Sequence, residues 1–335
     1  MPSVPSPADG LAAAVQPIEA GAHVTAAAFL GGDTAVLALG DGAVLFADGR
    51  RVAAHPEGAI LSAASDRGRI VTGGDDGRVV AVAADGSSTE LAALPNGWVD
   101  AVAIHSSGAV AWASGRSVQA RSAKGEVKSA TAPSSARGLA FAPKGYRLAF
   151  SHYNGASLWF PNSVEAPETL SWKGSHLDAV FSPDGAFLVT SMQENAMHGW
   201  RLADGKHMRM SGYPAKVRSM SWSPDGKWLA TSGADACVIW PFDSKDGPMG
   251  KAPRECGVRP ARVSQVAFHP AAAVVALGYE DGFILLARLT DGSEIPVRRE
   301  DPEGGAVSAF AWDREGRRLL FGTRGGKAGL LTLPA

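Results

Sequence analysis

Residues 217–240 read Val217-Arg-Ser-Met-Ser-Trp-Ser-Pro-Asp-Gly226, then Lys227-Trp-Leu-Ala-Thr-Ser-Gly233, then Cys237-Val-Ile-Trp240. This is a strand, a four-residue turn, a second apolar strand, a short polar turn and a third strand. The first turn has a mechanism: Pro224 presets φ, Asp225 bonds back onto its own turn, and Gly226 takes the positive φ. The pattern recurs upstream as His176-Leu-Asp-Ala-Val-Phe-Ser-Pro-Asp-Gly185, followed by Ala186–Ser191 and Met197-His-Gly-Trp200. It recurs again as Ala136-Arg-Gly-Leu-Ala-Phe-Ala-Pro-Lys-Gly145, followed by Tyr146–Ser151 and Ser157-Leu-Trp159. A fourth, more polar strand closes each unit. Short strands with regularly placed Gly and Asp turns signal an all-β protein, and a four-stranded repeat of about 40–45 residues is one blade of a β-propeller.

These residues resemble the WD40 repeat family. The likeness rests on the aromatic-Ser-Pro-Asp-Gly turns ending at Gly185 and Gly226 and on third strands ending in Trp159, Trp200 and Trp240. Acidic second turns at Asp41, Asp75-Asp76, Asp235 and Glu280-Asp281 add to it, and it covers almost the whole chain. The family's Trp-Asp dipeptide is degenerate, since these tryptophans precede Phe160, Arg201 and Pro241. That departure touches the family's buried His–Asp–Ser/Thr–Trp network and not the fold. The resemblance implies a stand-alone member, and the Ala- and Gly-rich composition suggests a GC-rich bacterial genome.

Inner strands are expected to start near Val24, Ile60, Val99, Arg137, Leu177, Val217, Val263 and Val307, at intervals of 36 to 46 residues. The expected fold is therefore a WD40-type propeller of eight four-stranded antiparallel blades, numbered here as units one to eight, with seven blades as the alternative. The last unit supplies three strands, Val307–Trp312, Arg318–Gly322 and Ala328–Leu333. An open ring would expose strand edges, so Leu11–Ile18 is expected to complete it. Residues 1–9 are Pro/Ser-rich and read as a disordered tail, and 10–335 reads as a single domain.

A formal net charge of −1 gives no field to gather nucleic acid or anionic lipid. The N-terminus lacks a secretory pattern, and no run approaches a membrane span. The expected location is cytoplasmic and the expected state a monomer. Phosphate-cradling loops, nucleophile elbows and His-Glu-x-x-His helices are missing, so no catalytic residue, metal or cofactor is expected. Gly73-Gly-Asp-Asp-Gly77 and Tyr279-Glu-Asp-Gly282 read as turns, because calcium needs six or more converging oxygens. His105 and His269 read as hairpin stabilisers, and His23 and His176 resemble the family's structural histidine. Cys237 and Cys256 fall on strands that antiparallel pairing could bring close, and they read as small buried thiols.

Propellers bind ligands on the face made by the connections into inner strands and by the second-to-third-strand turns. Six of these connections carry proline: Pro56, Pro95, Pro133, Pro214, Pro260 and Pro302, which stiffens them. From this face should project Trp98, Asp100, Arg137, His176, Asp178, Tyr213, Lys216, Arg218 and Arg262. Trp, Tyr and Arg are favoured interface anchors. Lys206, His207, Arg209, Lys216 and Arg218 form a local basic patch, extended by Arg259 and Arg262, which suits an acidic peptide segment of a protein partner. Too few aromatics are interleaved there for single-stranded nucleic acid. The reading is a non-catalytic protein- or peptide-binding scaffold. The alternative is a small-molecule or metal-dependent site at the channel mouth, which would need three or more of His23, His176, Asp100, Asp178 and Arg137 to converge on one pocket.

Overall fold

The turns set the strand ends. In the computed structural model, which describes residues 10–31, 33–66 and 68–334, both Ser-Pro-Asp-Gly turns are built alike. The Ser182 and Ser223 hydroxyls donate to Asp184 and Asp225 at 2.6 Å, and the same carboxylates accept the amides of Ala186 and Lys227. Gly185 and Gly226 follow at φ of +78° and +70°. The second turns use the same chemistry: Asp41, Asp76 and Asp281 each accept the amide two residues on. Turn chemistry, not calcium, explains these carboxylates. The Pro/Ser-rich tail at 1–9 lies outside the described residues.

The strands make an all-β propeller. Among the described residues they form seven hydrogen-bonded sheets, six of four strands and one of six. By sheet count this is the alternative number, seven. The six-stranded sheet holds two inner segments: Leu139–Phe141 pairs with 148–150, and 176–181 pairs with 188–192. Eight inner segments are present, but units four and five share one sheet, which makes seven blades in place of the expected eight. The reason is local. Leu148–Trp159 doubles back through Asn154 and Gly155, both at positive φ. Glu168–Phe181 runs from the outer edge of unit four into the centre of unit five. The connection inside it, residues 171–175, has no proline to remove an amide donor.

Inner strands begin as expected at Val24, Ile60, Val263 and Val307. In units three, four and six they begin two or three residues late, at Ala101, Leu139 and Met220. In two of these a serine hydroxyl takes over from the ladder: Ser151 Oγ accepts the Gly138 amide, and Ser232 Oγ accepts the amides of Arg218 and Ser219. Such side-chain competition shortens a strand without moving it.

Neighbouring units pack by placing the first residue of one inner strand against a glycine of the preceding unit. A Cβ on Gly278 would sit 2.5 Å from the Val307 side chain, and one on Gly322 would sit 2.4 Å from that of Val24. Trp159, Trp200 and Trp240 are buried in the cores between sheets. On the opposite face His105 Nε2 bonds the Gly145 carbonyl at 3.0 Å and His269 Nε2 that of Gly316 at 2.9 Å. These histidines tie their own hairpin to the next unit.

The ring closes where the sequence placed the closure, with a shorter strand. Val15–Glu19 pairs antiparallel with Lys327–Thr332, from Val15 opposite Leu331 to Glu19 opposite Lys327. Leu11–Ala14 is not strand: Ala12–Ala14 is one 3-10 turn, and the Leu11 amide reaches back to the Pro296 carbonyl of unit seven at 2.8 Å. The first residues therefore clasp two units instead of one.

Candidate functional site

One equivalent position at the head of each inner segment holds Thr25, Leu61, Asp100, Arg137, Leu177, Arg218, Ser264 and Ser308. In units one, two, five, seven and eight the pairing slips by one residue here. Such a bulge re-aims a side chain. Three of the hydroxyls use it to join adjacent units: Ser264 donates to the Val307 carbonyl (2.7 Å), Ser308 to Val24 (2.6 Å) and Thr25 to Ile60 (3.0 Å). In unit three the same position carries Asp100, which takes a 2.8 Å bond from Arg137 of unit four.

The remaining cations form a pocket. Between units five and eight the face opens into a cavity of about 350 Å³ whose rim and floor include Lys216, Arg218, Arg262, Arg324, Glu280 and Asn195. Arg218, Arg262 and Arg324 are exposed and Lys216 half-buried. Arg262 approaches Glu280 at 3.9 Å. Among the described residues no carboxylate pairs with Lys216, Arg218 or Arg324. Four cations and one carboxylate line the cavity, which gives it a net positive charge. Burial first, and the Arg324 charge second, lower the pKa of His23.

Across the mouth lies an aromatic sector. Trp98 is 68% exposed. Its loop is held firmly: Asn96 stands at φ +57°, the Gly97 amide bonds Leu94, and the Val99 amide bonds Gly74. Burial raises the Asp100 pKa against the opposing pull of Arg137, and the Asp100 Oδ1 has no hydrogen-bond partner. Asp178 has an accessible side chain, yet protein surrounds its carboxylate, and this desolvation raises its pKa too.

Two residues expected on this face are not on it. His176 is fully buried, with Nδ1 on the Thr190 hydroxyl at 2.7 Å and Nε2 on the Trp172 carbonyl at 3.1 Å. Tyr213 is buried as well: its hydroxyl meets Thr231 at 2.7 Å and accepts the Trp240 indole N–H at 2.6 Å. Both hold a unit together from inside. His55 likewise bridges Asp76 at 2.9 Å and Thr72 at 2.8 Å, so each of the three joins its own unit through buried hydrogen bonds without a Trp-Asp dipeptide. Tyr213→Phe should therefore cost about 1–3 kcal/mol, read as a lower denaturant midpoint. An unchanged midpoint would remove the hydroxyl from the stability account.

The structure brings Lys216, Arg218 and Arg262 together, places Trp98, Asp100 and Arg137 across the mouth, and withdraws His176 and Tyr213. Arg324, Glu280 and Asn195 were missed by sequence reading. All three sit on or beside second-to-third-strand turns, and Arg324 stands directly before Gly325-Gly326. None of His23, His176, Asp100, Asp178 or Arg137 lines the basic pocket. No group of three or more His, Cys, Asp or Glu that could hold a metal occurs among the described residues. Among the described residues no helix is long and apolar enough to cross a membrane.

Comparison with known proteins agrees with this architecture. The family description "WD domain, G-beta repeat" matches residues 206–240. WD repeat-containing protein 1-B of Xenopus laevis is 38% identical over 82 residues, 24% of this chain and 14% of that protein. The small ribosomal subunit protein RACK1z of Oryza sativa subsp. japonica is 30% identical over 77 residues, 23% of each chain. The chain thus matches less than a quarter of either relative's length. The crystal structure of the computationally designed Ika8 protein superposes with a TM-score of 0.75 over 93% of this chain and 97% of that one, at 17% identity. This last likeness is one of fold alone.

Proposed function

We propose that this chain, an all-β propeller of WD40 type, is a non-catalytic scaffold that holds an acidic segment of a partner protein or peptide against its loop face. One observation carries the reading: the cavity of about 350 Å³ in which Lys216, Arg218, Arg262 and Arg324 face a single carboxylate. Like charges gathered round one cavity repel one another, and a ligand of complementary charge gains specificity and fast association there. The exposed Trp98, with Asp100 and Arg137 beside it, is the proposed anchor across the mouth, of the type that dominates interface energy. RACK1z, by its name a ribosomal subunit protein, works within an assembly, which is consistent with the reading. Residues 10–335 act in it as one domain.

The test uses a fluorescein-labelled deca-glutamate peptide and the full-length protein. Binding should weaken as salt rises. Arg218→Glu/Arg262→Glu should weaken it by about tenfold or more, since about 1.4 kcal/mol is tenfold in affinity. Trp98→Ala/Arg218→Glu should change the set of proteins recovered by affinity purification. Equal peptide affinity for wild type and the double charge reversal would sink the proposal.

A further inference from the structure

The cysteines sit where the pocket is hinged. Cys237 and Cys256 are direct partners in the ladder between Cys237–Pro241 and Arg254–Cys256, and both are free thiols. Cys237 ends the turn whose residues Ser232 and Gly233 line the basic pocket; Cys256 begins the connection 257–262 that carries Arg262 into it. The two loops that form this side of the rim therefore spring from one cysteine pair. We infer that Cys237 and Cys256 are a reversible disulfide site whose closure fixes the rim of the basic pocket. This rests on the reading of that pocket as the binding site.

The geometry suits the step. Directly opposed residues of an antiparallel pair have Cβ atoms about 4.5–5.5 Å apart, and a disulfide needs about 3.5–4.5 Å. The outer strand has three residues, so it can supply the difference of about one ångström. Cys237 is wholly buried and Cys256 half-buried, which assigns their parts. Burial, and then the sulfur of Cys256, push the Cys237 thiol up, leaving Cys256 to meet the oxidant. With hydrogen peroxide, the Cys256 thiolate attacks one oxygen, the O–O bond breaks, and the departing hydroxide takes a proton to become water. The Cys237 sulfur then attacks the sulfenic sulfur of Cys256. The S–S bond forms, the S–O bond breaks, and the hydroxyl leaves with the thiol proton as a second water. Two thiols and one peroxide give one disulfide and two waters.

What changes is the freedom of the rim. Gly257, at φ +67°, is pinned by a hydrogen bond from the Tyr279 hydroxyl to its carbonyl. Val258 beyond it is 68% exposed. Tying Cys256 to Cys237 fixes the near end of this loop and preorganises Arg262, which cuts the ordering cost of binding.

Full-length protein treated with hydrogen peroxide should lose about 2 Da, the mass of two hydrogens, and a tryptic map should join Cys237 to Cys256. Dithiothreitol should restore the mass. The oxidised form should bind labelled deca-glutamate about threefold or more tightly and show slower amide exchange at 257–262; Cys256→Ser should do neither. Oxygen added to Cys256 without a cross-link would overturn the inference, as would a cross-link that leaves amide exchange and affinity unchanged. If neither redox form binds deca-glutamate while the cross-link still slows exchange at 257–262, the binding reading falls and the rim lock stands.

Discussion

A variant lacking residues 1–19 should melt roughly 5–10 °C below the full chain. The segment makes five ladder pairs with Lys327–Thr332, an ion pair between Glu19 and Lys327 at 3.0 Å, and the Leu11 amide bond to Pro296. Leu11, Ala14 and Val15 pack on the core between units seven and eight, and Ile18 on the core between eight and one. Half-buried apolar side chains contribute about 1 kcal/mol each, and net backbone hydrogen bonds about 1 kcal/mol each. The exposed ion pair adds little. A loss of about 5 kcal/mol is a modest total, and at about 1.5 °C per kcal/mol, from an unfolding entropy of about 2.1 cal/mol/K per residue in a chain of this size, it gives the stated shift. The bare edge of Lys327–Thr332 would also invite association. Thermal unfolding by circular dichroism reads the shift, and a synthetic peptide of residues 10–19 added in trans should recover part of it. A truncated protein melting within about 3 °C of the full chain would show that the ring does not depend on this strand.

Replacing His198 by Phe should flatten the acid side of the stability profile. His198 lies in the strand Met197–Arg201, fully buried, with neither ring nitrogen hydrogen-bonded. Trp172 stacks on it at 4.0 Å and Trp200 meets it edge-on at 4.7 Å. Burial, and then the neighbouring His176, His207 and Arg209, hold its pKa down at about 3. Above pH 6.5 both folded and unfolded chains leave it neutral, and it contributes no pH dependence. Below 6.5 the unfolded chain binds a proton that the folded chain refuses, so stability is lost as pH falls from 6.5 towards 3. The loss is about 1.4 kcal/mol per pH unit, or about 2 kcal/mol at pH 5. His152 and His176, both lowered chiefly by burial, add to the same slope. Phe removes one such proton and two unpartnered nitrogens while keeping the ring stack. The variant should therefore match or exceed wild type at pH 7 and gain on it at pH 5. Parallel urea midpoints for the two proteins between pH 7 and 5 would refute the assignment.

Much of the fold was legible because its unit is short and its turns are chemically loud. Pro-Asp-Gly at 183–185 and 224–226 and the near-constant spacing locate the inner strands, and the missing outer strand of unit eight points to the N-terminal segment. Late strand starts at Ala101, Leu139 and Met220 were not legible. In units four and six they depend on Ser151 and Ser232, a hairpin away in sequence. The merged sheet depends on residues 171–175 staying in strand geometry, a tertiary outcome. At the site, Lys216, Arg218 and Arg262 could be read as one basic group because each stands at the head of an inner strand. His176 and Tyr213 stand close by in sequence and turn inward. A residue just before an inner strand serves either the rim or the buried network, and only the hydroxyl across the hairpin, Thr190 or Thr231, separates the two.

The closure also imposes an order in time. Glu19 finds Lys327 across a separation of 308 residues. During synthesis at about 5–20 residues per second, the strand that ends the ring waits roughly 15–60 s for its partner. Throughout that wait Val15 and Ile18 have no unit to cover them, and unit one has no unit eight to lean on. The hydroxyl clasps Ser308–Val24 and Thr25–Ile60 lie on the two sides of unit one, so the nascent chain can form the second early but the first only at the end. A ring closed by Val15–Glu19 on Lys327–Thr332 can thus be completed only after both strands have been made.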